Sequence, residues 1–241
     1  MTGPGDKIIV ALDTPNIDYA KTLMKKLKGI ISFYKVGFEL FTAHGWAAVD
    51  LVNKYGGRIF LDLKLHDIPN TVSKAAAVIC EHEVDMITVH ALGGLEMMKK
   101  TRETILERTG TGKKRPLIVG VTVLTSHSEA EMRSELGIAR SLNEQVEALA
   151  MLSHKAGLDG IVSSPMETRM LRSKFPQDFL MITPGVRPVN TEKSDQKRTV
   201  TPSEAIGAGS DYLVIGRPIT DAKDPKKAAQ DIITSMQAQA D

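Results

Sequence analysis

Eight short apolar runs punctuate the chain: Ile8–Leu12, Phe33–Val36, Ile59–Leu61, Met86–Val89, Leu117–Val121, Gly160–Val162, Phe179–Ile182 and Tyr212–Ile215. They are rich in β-branched residues and mostly apolar at successive positions, the pattern of strands buried on both faces. Between them apolar residues recur at three- and four-residue intervals, which predicts helices over segments such as Tyr19–Leu27, Leu40–Tyr55, Val72–Glu83, Leu95–Leu106 and Leu142–Ala156. Strand and helix alternate throughout a chain of 241 residues. That rhythm and length predict an α/β fold, a closed (β/α)8 TIM barrel in a single domain. An open doubly wound sheet is the alternative. It favours a glycine-rich turn after the first strand, where this chain has Leu12-Asp13-Thr14-Pro15-Asn16.

The rhythm leaves no room for a domain linker, so residues 1–241 read as one domain. Residues 1–6 carry Gly3, Pro4 and Gly5 without an apolar pattern and read as a loose leader. The most polar unpatterned stretch, Arg187 to Thr201, has the length of a functional lid. With 31 basic and 29 acidic residues, the net charge of +2 gives no reason to expect nucleic acid or an anionic membrane as a partner. Cys80 is the single cysteine, which rules out an internal disulfide and a cysteine metal cluster and reads as a buried apolar thiol on a helix. No run of 18 apolar residues and no signal-like start occurs, so a cytoplasmic protein is expected.

Barrel chemistry collects at the carboxyl ends of the strands. Those ends carry Asp13, Lys35, Asp62 with Lys64, His90, Thr122 with Thr125, Ser163 with Ser164, Thr183, and Gly216-Arg217. On a regular strand Asp62 and Lys64 project to one side while Leu61, Leu63 and Leu65 project to the other. Two charges on the inward side must be paired, as a structural ion pair at the rim or as part of a reactive constellation. With Asp13 and Lys35 on neighbouring strands and Asp67 just beyond, acids and bases alternate, and each holds the next in its charged form. Such fixed charges preorganise a pocket electrostatically.

The segment Asp62-Leu63-Lys64-Leu65-His66-Asp67-Ile68-Pro69-Asn70-Thr71 resembles the bacterial-type orotidine 5'-monophosphate decarboxylase family, whose pattern is Asp-x-Lys-x-x-Asp-Ile-x-x-Thr. The likeness extends through Ala11-Leu12-Asp13, Tyr34-Lys35-Val36-Gly37, Val121 to Ser126, Thr183 to Pro188, Asp195-Gln196 and Ile215 to Pro218. The resemblance implies decarboxylation of orotidine 5'-monophosphate to uridine 5'-monophosphate, the last step of de novo UMP synthesis, with no cofactor and no metal. It assigns Lys64, Asp62, Asp67 and Lys35 to catalysis. Lys64 would stabilise and protonate a C6 carbanion, Asp62 would lie beside the substrate carboxylate, and Lys35 would tie the network together. Asp13 and Thr71 would bind the ribose and Thr125 the pyrimidine edge. Arg187, Gly216 and Arg217 would take the phosphate, and Gln196 would span from base to phosphate. Asp67 and Thr71 would come from the other subunit, which implies a homodimer with shared sites.

Several tempting residues fit packing better than chemistry. Parity turns His66 away from Lys64, and His90 reads as a hydrogen-bonded rim residue. No base is positioned for Ser163, Ser164, Thr183 or Thr122. Gly110-Thr111-Gly112-Lys113-Lys114 lacks phosphate-loop spacing, and Trp46 and the methionines read as packing. Two competing functions remain: a magnesium-dependent sugar-phosphate decarboxylase or aldolase of the same broad superfamily, and a catalytically silent nucleotide-binding protein.

Overall fold

The computed structural model describes residues 3–110, 114–187 and 200–237. Eight parallel strands close on themselves in sequence order: β1 Ile8–Ala11, β2 Phe33–Gly37, β3 Arg58–Leu65, β4 Met86–His90, β5 Leu117–Val121, β6 Gly160–Val162, β7 Leu180–Pro184 and β8 Tyr212–Ile215. β8 pairs with β1 through Ile8↔Leu213, Ile9↔Val214 and Val10↔Ile215, which completes the barrel. The open-sheet alternative is thereby excluded.

Strand alternation divides the core into two shells. Ile9, Ala11, Phe33, Phe60, Met86, Val119, Ile182 and Val214 fill the barrel interior. Ile8, Val10, Leu12, Tyr34, Val36, Ile59, Leu61, Ile87 and Val89 turn outward into the layer shared with the helices. Because the parity repeats every two residues, the next inward positions toward the carboxyl ends are Lys35 above Phe33, Asp62 above Phe60 and Thr88 above Met86. The polar layer therefore rests on an apolar plug that keeps water from entering beneath it.

Two expected elements differ in the structure. The helix expected over Leu40–Tyr55 is two helices, Phe38–His44 and Trp46–Lys54, divided at Gly45, whose φ of 56° interrupts the helical path. The leader expected to be loose over residues 1–6 is fastened from Pro4 onward, where Pro4–Lys7 forms a 3-10 turn. Ser32 Oγ donates to Asp6 Oδ1 at 3.1 Å, and Arg58 Nη2 donates to the Asp6 carbonyl at 3.1 Å. Trp46 packs as expected, stacked on His82 with centroids 3.6 Å apart. Cys80 caps helix Pro69–Ile79, and partial burial pushes its thiol pKa up. Residues 111–113 of the Gly110 to Lys114 turn, and most of the expected lid, lie outside the described residues. The two ends of that lid stretch are joined, with the Arg187 N–H donating to the Val200 carbonyl at 2.9 Å.

The amino-terminal end of the barrel uses one device three times. Asp85, Asp159 and Asp211 stand just before β4, β6 and β8, and each reaches back to the preceding strand. They accept the amides of Ile59, Ile118 and Met181 at 2.7, 2.8 and 2.7 Å. Each carboxylate also pairs with a base, Lys114, Arg115 and Arg172 respectively. Arg115 grips Asp159 with two nitrogens at 2.6 and 2.7 Å. Asp159→Ala strands both a guanidinium and an amide, so unfolding free energy should fall by about 3 kcal/mol, or roughly 6 to 12 °C in Tm. Thermal unfolding followed by circular dichroism checks this, and an unchanged midpoint would contradict it.

Candidate active site

The carboxyl ends of β1, β2 and β3 bring four charges into one row. Lys35 Nζ lies 2.7 Å from Asp13 Oδ1 and 3.7 Å from Asp62 Oδ2. Lys64 Nζ donates to both oxygens of Asp62, at 3.0 and 2.9 Å. The order is acid, base, acid, base. The Asp62 and Lys35 side chains are only 12% and 11% exposed, whereas Lys64 is 29% exposed and Asp13 53%. The inner pair is thus enclosed by protein, and of the two lysines Lys64 is the one that opens outward. Its ammonium also sits 5.6 Å from the centre of the Phe38 ring.

Local backbone makes this crowding possible. At Gly37 a Cβ would stand 2.7 Å from Lys35 Nζ and 3.3 Å from Asp13 Oδ1, so a side chain there would push the ammonium from its carboxylate. Lys64 has φ 44°, the only non-glycine residue among those described with a left-handed backbone. A lysine held there costs about 1 to 3 kcal/mol unless its surroundings compensate. Strand pairing explains the turn, because the register runs Leu61↔Ile87 and then Leu65↔Val89, so three residues of β3 face Thr88 alone. Simple alternation therefore does not bring Lys64 to Asp62; a bulge does. Leu61, Leu63 and Leu65 still pack outward as expected.

These groups line a cavity of about 570 Å³ at the barrel mouth, within the range of small-molecule sites. Asp13, Lys35, Asp62 and Lys64 form one wall. Arg187, Gly216 and Arg217 line it from the ends of β7 and β8, and Thr125 lines it from the loop after β5. The floor is apolar, with Phe60, Val121, Val162, Pro184 and Val214. The cavity lining thus combines two arginines with the Lys64 ammonium and an apolar floor.

Asp67 and Thr71 do not line this cavity. Both are exposed, Asp67 just before helix Pro69–Ile79 and Thr71 in its first turn, and the Asp67 carboxylate accepts the Ile68 N–H at 2.6 Å. Gln196 lies outside the described residues. His66 stacks on His90 with centroids 5.2 Å apart, outside the cavity lining. His90 Nδ1 accepts the Leu92 N–H at 3.4 Å, the rim hydrogen bond its position suggested. The hydroxyls set aside as nucleophiles do structural work: Thr122 donates to the Val162 carbonyl, Ser164 caps helix Pro165–Arg172, and Thr183 bonds Ser210. Ser163 Oγ is buried with no hydrogen-bond partner among the described residues.

Sequence reasoning missed Thr88 and Gly37. Thr88 Oγ1 accepts the Lys64 N–H at 2.7 Å and donates to Asp62 Oδ1 at 3.1 Å. The inward parity of Met86 and His90 was the available signal, since it places Thr88 in the layer of Lys35 and Asp62. Glu39, Thr220 and Asp221 at the rim were also not singled out.

Comparison with known proteins sets the whole chain in a wider group. The family described as orotidine 5'-phosphate decarboxylase / HUMPS matches residues 6–232. The chain is 46% identical to the orotidine 5'-phosphate decarboxylase of Moorella thermoacetica, over 96% of this chain and 92% of that one. It is 48% identical to that of Syntrophotalea carbinolica, over 96% and 95%. The crystal structure of orotidine 5'-phosphate decarboxylase from Lactobacillus acidophilus superposes with a TM-score of 0.84 at 38% identity, covering 96% of this chain and 99% of that one.

His90 supplies a test of the electrostatics of this rim. Burial, and then the positive fields of His66, Lys64 and His127, lower its pKa from 6.5 to about 4. The folded state therefore resists a proton that the unfolded chain accepts. This contribution to stability is present above about pH 6.5 and is lost as pH falls toward 4. In an NMR titration the His90 ring should stay neutral down to about pH 5, and a midpoint near 6.5 would contradict the geometry.

Proposed function

Because the chain belongs to the orotidine 5'-phosphate decarboxylase / HUMPS family, we propose that it decarboxylates orotidine 5'-monophosphate to uridine 5'-monophosphate with Lys64 as the proton donor. The observation that carries this reading is the Lys64 ammonium, held on both oxygens of Asp62 at the edge of an apolar-floored cavity. When the bond from C6 to the carboxylate breaks, the electron pair stays on C6 in an orbital perpendicular to the ring π system, so the ring cannot delocalise it. CO2 leaves. A cation beside C6 lowers the energy of that pair, and transfer of a Lys64 proton to C6 completes the product. Solvent then restores the ammonium.

The remaining residues divide the nucleotide between them. Arg187 and Arg217, with the backbone at Gly216, suit the 5'-phosphate, since forked guanidinium donors match phosphate oxygens and the β7 and β8 loops are the common phosphate position in this fold. Thr125 suits a polar edge of the base, Asp13 a ribose hydroxyl, and Gln196 a contact between base and phosphate. Asp62 would face the substrate carboxylate while holding Lys64, and Lys35 would tie Asp62 and Asp13 into one network. The reading asks no metal or organic cofactor to take up electrons.

Asp67 and Thr71 fit a homodimer in which each serves the neighbouring subunit's site. Their exposure outside the cavity supports this. So does the apolar surface around them at the ends of three adjacent strands, with Phe38, Ile68 and Leu92 exposed by 58%, 67% and 46%. Among the described residues no helix is long and apolar enough to cross a membrane, and a cytoplasmic location fits the substrate.

Purified protein should turn over orotidine 5'-monophosphate, and do so equally in excess EDTA. Failure to turn over would favour the silent binder, and loss in chelator the metal-dependent alternative. Lys64→Ala should lower kcat by roughly 10⁴-fold or more. Asp67→Ala should be similarly impaired. Mixing the two variants should return about one quarter of wild-type activity, because half the dimers are mixed and each has one intact site. No recovery after verified subunit exchange would sink the shared site.

A further inference from the structure

We propose that Thr88 is the positioning residue that sets the pose of Lys64, a role that rests on Lys64 being the proton donor. Where β3 bulges, Asp62, Leu63 and Lys64 lie between the paired positions Leu61↔Ile87 and Leu65↔Val89, and β4 offers only Thr88 opposite them. The regular ladder is interrupted there. The Thr88 hydroxyl fills the interruption: its oxygen accepts the Lys64 amide at 2.7 Å, and its proton goes to Asp62 Oδ1 at 3.1 Å.

One group thereby fixes both members of the reactive pair. Accepting the amide compensates the left-handed backbone of Lys64, φ 44°, because relaxing that dihedral would break this part-buried hydrogen bond and leave its polar hydrogen without a protein partner. Donating to Oδ1 orients the carboxylate whose two oxygens hold the Lys64 ammonium at 3.0 and 2.9 Å. Thr88 itself is 1% exposed and does not line the cavity. It acts on the chemistry only through Asp62 and Lys64.

A hydroxyl has a single proton, so this double role has a direction. Donation to Asp62 uses the Thr88 proton and leaves the oxygen lone pairs for the amide of Lys64. The arrangement needs Asp62 ionised, the same state that holds the ammonium.

The test separates chemistry from binding and from folding. Thr88→Val keeps the shape and removes the hydroxyl; Thr88→Ser keeps the hydroxyl and removes only the methyl. Thr88→Val should lower kcat on the order of 10- to 100-fold, with KM for orotidine 5'-monophosphate and the Kd for uridine 5'-monophosphate each within about threefold of wild type. Thr88→Ser should restore kcat to within about threefold. If Thr88→Val does not fold, Thr88→Cys, whose thiol is a poor donor and acceptor, should show the same loss confined to kcat. Wild-type kcat in Thr88→Val or Thr88→Cys would overturn the proposal, as would a loss that falls equally on kcat and product affinity, or a serine variant as impaired as valine. Wild-type protein that fails to decarboxylate would instead overturn the reading of Lys64.

Discussion

One carboxylate governs the barrel mouth. Asp62 takes both hydrogen bonds of the Lys64 ammonium, a third from Thr88, and the field of Lys35 at 3.7 Å. Buried acids are expensive unless compensated, and these partners together compensate Asp62. The apolar plug of Phe33, Phe60 and Met86 beneath it keeps water from taking their place. What results is an ammonium ion whose position is fixed before any ligand arrives, the condition under which a charge acts on a transition state without first reorganising its surroundings.

The fold serves that condition from both ends. At the amino-terminal face, Asp85, Asp159 and Asp211 stitch neighbouring strands together and meet their own cations, so the charges there act in stability. At the carboxyl face the charges point into a cavity, and the backbone departs from regularity to put them there. Gly37 admits Lys35 where a methyl group would collide with it, and the bulge at Lys64 breaks the strand pairing. Irregularity thus collects at the candidate site, the kind of place where strain is held by its surroundings.

The eight strands were legible because parallel strands buried on both faces write themselves as apolar runs. Asp62, Lys64, Lys35, Asp13 and Arg217 were legible because packing alone gives a charge no place at the end of an apolar strand, whereas Arg187, beyond the end of β7, was reached only through the family resemblance. The break at Gly45 and the anchoring of Asp6 were not, since each depends on tertiary neighbours that local pattern does not record. Thr88 was hidden for a different reason: a threonine inside Met86-Ile87-Thr88-Val89 looks like any β-branched strand residue. Its meaning comes from a register shift on the adjacent strand. Parity also reached the Asp62 and Lys64 pair by a route the backbone does not take.

The most direct test of the central claim follows from microscopic reversibility. If Lys64 delivers a proton to C6, the same amine must remove that proton from the product. Uridine 5'-monophosphate incubated with the protein in D2O and followed by proton NMR should slowly lose its C6 hydrogen signal. The exchange should vanish in Lys64→Ala protein that still binds the nucleotide. Exchange at an equal rate without the lysine, or none with it, would contradict the account.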